Sequence, residues 1–122
     1  MTANVRPLAF GYLRLSATDP PDVTDQLIAA LHAHAYREGL ALADIYLDLL
    51  DPPVDHPDRS GFCTLMDTLR RYDTCTVLIP TPGHLSRQPD NYAARRTIIE
   101  AEAGARLLVI HPAAMSTEQA DQ

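Results

Sequence analysis

The chain has no lysine, so all ten of its cationic side chains are arginines. They are outnumbered by acids, and the formal net charge is −6. A protein that binds a nucleic-acid backbone unaided usually presents a basic face. This acidic balance argues against a free-standing DNA-binding module. If the chain meets DNA, we expect another part of an assembly to help hold it there.

Long apolar runs are also missing. No stretch reaches the roughly 20 residues that a membrane-spanning helix needs, and "MTANVRPLAF" lacks the regions of a secretory signal. We therefore expect a cytoplasmic protein with no membrane partner, in which the two cysteines, Cys63 and Cys75, are free and buried. The five histidines show no metal-ligand spacing, so we predict neither a metal nor another cofactor.

Strand and helix patterns alternate along the 122 residues. Strands are predicted over residues 7–15, 40–50, 74–80 and 105–110, and amphipathic helices over 23–38, from Ser60 onward and over 90–103. Such alternation is typical of βαβ units. It predicts an α/β fold with a parallel sheet of four or more strands and helices on both faces. We expect one domain over residues 1–112 and a polar, disordered tail over 113–122.

Polar residues of chemical interest lie at the predicted strand ends. In parallel α/β sheets, ligands bind beyond the carboxyl ends of the strands, where loops 16–22, 50–59 and 81–90 begin. Arg14 and Ser16 close the first strand, and alternation along a strand places both on the same side. The other candidates in these loops are Arg59, His84, Ser86 and Arg87.

A serine among arginines points to attack on a phosphodiester. Serine is a weak nucleophile that needs a base or an electropositive setting, and arginine binds phosphate oxygens bidentately. Simpler explanations compete, since a serine after a strand usually serves a turn and loop arginines commonly form salt bridges. From spacing alone the catalytic interpretation is the minority one. A different α/β enzyme, such as a small phosphatase using Ser16, His84 and Arg87, stays open.

Four ordered segments resemble the catalytic domain of the resolvase/invertase family of serine recombinases. "YLRLS" (12–16) is similar to the Y-x-R-x-S signature, and "VTDQLIAAL" (23–31) is similar to the first helix of the family. Residues 58–73 resemble the segment around R-P-G with its leucine-rich helix, and residues 76–87 resemble the strand leading into D-R-L-x-R. The resemblance covers residues 8–111. It implies a resolvase-like three-layer fold and site-specific recombination through a 5′-phosphoserine.

The resemblance also implies roles for individual residues. Carried over by position, Ser16 is the nucleophile, Arg14 and Arg87 are catalytic arginines beside it, and Gln26 is the glutamine of the first helix. Contacts to the substrate phosphate are implied for Arg14, Arg87, His84 and Arg59. DNA is then a partner only within a larger assembly, and a homo-oligomer or a protein partner is the other association to expect.

The chain departs from the family pattern at its charged positions. In this resemblance Gly83 and His84 occupy the D-R of D-R-L-x-R, and the stretch over residues 50–57 is acidic and has no arginine. Losing one preorganised charge-stabilising donor costs about a hundredfold or more in rate. We therefore expect strand cleavage to be impaired in the chain alone. The alternative is a catalytically silent interaction or regulatory domain derived from a recombinase.

Overall fold

The computed structural model describes residues 6–16, 19–49, 60–72, 74–86 and 88–111, with only the backbone of Ser60. Within these ranges the chain runs through β1 Leu8–Leu15, α1 Pro21–Arg37, β2 Ala41–Leu49, α2 Ser60–Leu69, β3 Cys75–Ile79, α3 Pro89–Thr97 and β4 Arg106–Val109. A 3₁₀ turn, Pro82–His84, follows β3, and a π-helical turn, Ile98–Glu102, extends α3. The middle loop and the tail over residues 113–122 lie outside the described residues.

The four strands form one parallel sheet in the order β2-β1-β3-β4. This confirms the predicted α/β fold. The chain leaves β1 toward β2 on one side and then returns to place β3 on the other side of β1. The connections on the two sides of β1 therefore diverge, and a crevice opens beyond the carboxyl ends of β1 and β3.

β1 is longer than its pairing with β3. It pairs with β2 from Leu8 to Leu15, whereas its described pairing with β3 stops at Gly11, opposite Leu78. Buried backbone N–H and C=O groups must find partners. The last four residues of β1 therefore need hydrogen-bond partners other than β3 on that side. The candidate site lies where the two strands separate.

Alternate residues of β1 belong to two cores, one on each face of the sheet. The core under α1 contains Ala9, Leu13, Leu15, Leu27, Leu31, Ala35, Leu40 and Leu78. The core under α2 and the π-helical turn includes Phe10, Tyr12, Leu65, Leu69, Val77, Ile79 and Ile99. Helices thus cover both faces, as predicted.

The two cysteines differ in environment. Cys75 is buried in β3, and burial raises the pKa of its thiol. Cys63 is exposed, so the expectation that both thiols are buried is wrong for this one. It lies off the side of α2 on which Leu65, Met66 and Leu69 are buried. Over the described ranges, no helix is long and apolar enough to span a membrane.

Candidate active site at the split between β1 and β3

Ser16 follows β1 directly and lies in a tight turn. The Asp19 carboxylate accepts a hydrogen bond from the Ser16 backbone N over 2.9 Å, and the Asp19 N donates to the Ser16 carbonyl over 3.0 Å. Aspartate favours such turns because its side chain binds nearby backbone groups. The backbone of the candidate nucleophile is therefore fixed, while the residue stays partly exposed.

Arg14 is joined at two points to the segment after β3. Its backbone N donates to His84 Nδ1 over 3.0 Å, and its guanidinium Nη1 donates to the Leu85 carbonyl over 3.0 Å. Arg14 lies in the part of β1 beyond the pairing with β3. The imidazole therefore takes the place of a strand partner, and the two bonds orient Arg14 at the edge of the sheet.

His84 is buried, with 9% of its surface exposed. A neutral imidazole that accepts a hydrogen bond at Nδ1 carries its proton on Nε2. The 3₁₀ turn fixes the ring from its own side, because the His84 N donates to the Thr81 carbonyl over 3.1 Å. His84 thus links two loops of the site through its side chain and its backbone.

The other three predicted site residues are Gln26, Arg59 and Arg87. Gln26 lies on the exposed side of α1. Arg59 and Arg87 fall outside the described residues. Of the six predicted residues, the structure therefore joins Arg14 and His84 directly and places Ser16 two residues beyond Arg14 at the same strand end.

Asp48 is a buried acid that the sequence analysis did not single out. It is 3% exposed, and its carboxylate accepts hydrogen bonds from Tyr12 Oη over 2.5 Å, Gly61 N over 2.7 Å and Phe62 N over 3.0 Å. In the sheet register it lies opposite Arg14. We call these four residues, Tyr12, Asp48, Gly61 and Phe62, the Asp48 clamp.

The Asp48 clamp holds the beginning of α2 against β2. The first N–H groups of a helix have no partner within the helix, and a carboxylate there also opposes the positive end of the helix dipole. The Tyr12 ring meets the Phe62 ring edge to face, with centroids 5.6 Å apart. One signal in the sequence could have revealed this contact, because an aspartate inside an apolar strand is rarely buried without partners.

A family comparison connects this geometry to known proteins. The model of the family "Resolvase, N terminal domain" matches residues 9–122. The chain belongs to the resolvase N-terminal domain family. A comparison with curated protein sequences gave no match.

Solved structures show that the fold is that of serine recombinase catalytic domains. The C-terminal catalytic domain of ISC1926 TnpA, an IS607-like serine recombinase, superposes with a TM-score of 0.68 at 19% identity, covering 92% of this chain and 76% of that one. The N-terminal catalytic domain of TP901-1 integrase gives a TM-score of 0.68 at 18% identity, covering 84% of this chain and 76% of that one. Identities this low concern the fold alone.

The resemblance to D-R-L-x-R places His84 at the position of the motif's first arginine. In the structure, His84 uses Nδ1 to bind the Arg14 backbone. An arginine has five N–H donors and no acceptor, so it cannot accept that bond. The histidine therefore accepts a hydrogen bond from the β1 backbone, which an arginine at the same position could not do.

Replacing His84 tests whether its hydrogen bond with the Arg14 backbone stabilises the fold. His84→Leu leaves the Arg14 N–H without its acceptor, and we expect the free energy of unfolding to fall by about 2 kcal/mol. His84→Asn is the control, because its Oδ1 lies near the former Nδ1, and we expect a loss of about 1 kcal/mol or less. Urea denaturation gives the stabilities. Hydrogen exchange should show the Arg14 amide protected in the asparagine variant and not in the leucine variant, and equal protection would contradict the assignment.

Proposed function

We propose that this resolvase-family domain cleaves and exchanges DNA strands through Ser16, and that it does so only within a larger assembly. The observation that carries the proposal is the pair of hydrogen bonds from Arg14 to His84 and Leu85. They orient an arginine two residues from a serine whose backbone is fixed in a turn. Groups already in place for a reaction lose little freedom when the substrate binds.

The chemistry is a phosphoryl transfer. Ser16 Oγ attacks the phosphorus of a DNA phosphodiester, loses its proton to a base, and forms a new P–O bond. The bond from phosphorus to O3′ breaks, O3′ takes up a proton, and the 5′ phosphate remains on the serine. One phosphoester replaces another, so a 3′ hydroxyl can reverse the step. Arginines at the site stabilise the charge that develops on the phosphoryl oxygens.

The requirement for an assembly follows from charge. The chain carries a net charge of −6, so long-range attraction to a DNA backbone is absent or repulsive. His84 is buried and accepts a hydrogen bond at Nδ1, which a doubly protonated, cationic imidazole cannot do. The positive charge that the family motif places at this position is therefore missing here, and another chain or domain would supply both DNA binding and added charge.

A second function, a catalytically silent interaction or regulatory domain, is favoured by the same histidine. The side chain at this position of the motif is turned to the protein's own backbone rather than left to a substrate. In that case the Arg14 and Ser16 geometry is inherited from an active relative and no longer used.

A covalent adduct with DNA separates the two functions. The chain is incubated at low salt with supercoiled plasmid and with nicked suicide substrates, alone and fused to a foreign DNA-binding domain. We expect no adduct from the chain alone and a 5′-linked adduct from the fusion. The adduct should disappear in Ser16→Ala and persist in the control Ser116→Ala, as read by mass spectrometry.

Two other outcomes would contradict parts of the proposal. A Ser16-dependent adduct from the chain alone would show that no assembly is needed. Absence of any adduct from a folded fusion that binds its DNA site would refute strand transfer and favour the silent domain.

A further inference from the structure

A cleft of about 500 Å³ lies against the 3₁₀ turn and the first turns of α3. Its lining residues are Pro82, Gly83, Ser86, Pro89 and Tyr92. We propose that this cleft binds one unstacked nucleobase of the DNA strand whose phosphate meets Ser16. The inference rests on the proposed function, and it adds a contact to the base that the phosphate chemistry does not require.

The lining suits a flat, uncharged ring. Two pyrrolidine rings and one phenol ring supply broad apolar surfaces, and Gly83 adds no side chain that would fill the space. Among the residues that the structure describes, none of those lining the cleft is charged, and this part of the lining suits a base better than a phosphate group. Aromatic side chains bind bases of single strands by stacking, largely without regard to sequence.

One polar group in the cleft matches the edge of a base. Ser86 is buried, and its Oγ accepts a hydrogen bond from the Gln88 backbone N over 3.1 Å. A hydroxyl that accepts one bond still has its own proton to donate. Bases carry acceptor atoms on their edges, so Ser86 offers a polar contact within an otherwise apolar surface.

The walls are formed before any ligand binds. Both Leu85 N and Ser86 N donate to the Pro82 carbonyl, over 3.0 and 3.2 Å, which closes the 3₁₀ turn. Tyr92 N donates to the Gln88 carbonyl over 2.9 Å, and its ring packs in part against the buried core. A preformed pocket loses little conformational freedom on binding. Pockets of this size are typical of small-molecule sites.

The cleft adjoins the candidate active site through the chain itself. Gly83 lines the cleft, and the next two residues, His84 and Leu85, bind the backbone and guanidinium of Arg14. The 3₁₀ turn therefore borders both the base cleft and the arginine that faces the phosphate chemistry. A base held in the cleft would lie beside the turn whose residues hold Arg14, which is why we commit to a DNA base as the occupant.

Another cleft, also lined by described residues, serves as a comparison. It is lined by Arg6, His32 and Tyr36 among others, at the end of the sheet where the strands begin. Tyr36 is 75% exposed, and the Arg6 guanidinium lies 5.9 Å from its ring centroid. Its tyrosine makes a matched control for Tyr92, because it is equally able to stack but lies away from Ser16.

The test is an NMR titration of the whole ¹⁵N-labelled chain with the dinucleotide pTpT and with the same molecule lacking one base. We expect pTpT to shift the amides of Gly83, Ser86 and Tyr92 saturably. Tyr92→Leu should raise the Kd for pTpT about tenfold. Tyr36→Leu should leave it unchanged, and the abasic molecule should bind about tenfold more weakly than pTpT.

Other results overturn the proposal. Equal affinity for the two probes, no saturable shift with pTpT, or an unchanged Kd in Tyr92→Leu would exclude base binding. Tighter binding of a polyproline peptide at the same amides would assign the cleft to a protein partner instead. The titration measures binding of a dinucleotide and requires no covalent step. Base binding by the cleft is therefore tested separately from adduct formation by Ser16.

Discussion

Replacing Asp48 by alanine is expected to lower the free energy of unfolding by about 4 kcal/mol, because three donors lose a buried, charged acceptor. Net stabilities of single domains are about 5–15 kcal/mol, so the variant should be close to unfolding at moderate temperature. Urea denaturation followed by circular dichroism measures the change. The loss should exceed that of any single substitution among the donors.

Graded variants separate the Asp48 clamp from a general effect of removing an acid. Tyr12→Phe removes one donor and should cost about 1–2 kcal/mol. Asp44→Ala removes an exposed carboxylate from the same strand, whose side chain accepts a bond only from the adjacent Ile45 N among its described contacts, and should cost less than about 1 kcal/mol. A cost for Asp44→Ala as large as that for Asp48→Ala would show that the Asp48 clamp does not stabilise the fold.

Local pattern was enough to predict the elements of this fold. The ends of each predicted strand or helix lie within about two residues of the observed ends. The spacing of buried positions depends on neighbouring residues, so a short stretch of sequence is enough to show it. The parallel arrangement followed from the alternation of strands and helices. The order β2-β1-β3-β4 was not predicted, because it depends on which strands meet across the whole chain.

The site was predictable where it depends on strand ends and not where it depends on contacts between distant residues. Arg14 and Ser16 were expected at the carboxyl edge of the sheet, and the structure has them there. The burial of His84 was missed, because it depends on a contact with Arg14, which lies 70 residues earlier in the chain. Asp48 was missed for the same reason, because its phenol donor lies 36 residues away and its first amide donor 13 residues away.

These long-range contacts change the meaning of the family motif in this chain. By its resemblance to D-R-L-x-R, the chain has His84 where the motif has an arginine. Measured by its contacts, His84 is the group that completes the backbone of β1 and so positions Arg14. An arginine at position 84 would add a positive charge, and it would also remove the acceptor of the hydrogen bond from the Arg14 backbone N. The histidine therefore adds a contact to the backbone of β1 that an arginine at this position would not make.

Gly61→Ala is expected to lower the free energy of unfolding by about 3 kcal/mol, since overpacking and lost hydrogen bonds add together. A Cβ at this position would lie 2.3 Å from the Leu47 carbonyl oxygen and 2.8 Å from Asp48 Oδ1. The first is a backbone atom of β2 and cannot turn away. The start of α2 must therefore move off the sheet edge and stretch its bonds to Asp48. We expect a decrease in Tm of roughly 10 °C.

Gly83→Ala is the matched control for this prediction. A Cβ there meets only Thr81 Oγ1, at an ordinary 3.7 Å, so the change in Tm should stay within about 3 °C. Both variants add one methyl group to a glycine in the first residues of a helical turn, and they differ in how closely other chain atoms approach. Equal effects on Tm would mean that glycine matters at position 61 for reasons other than the approach of α2 to β2. A large loss confined to Gly61→Ala, and smaller in a background that already carries Asp48→Asn, would show that the close approach exists to bring two amides of α2 onto one buried carboxylate.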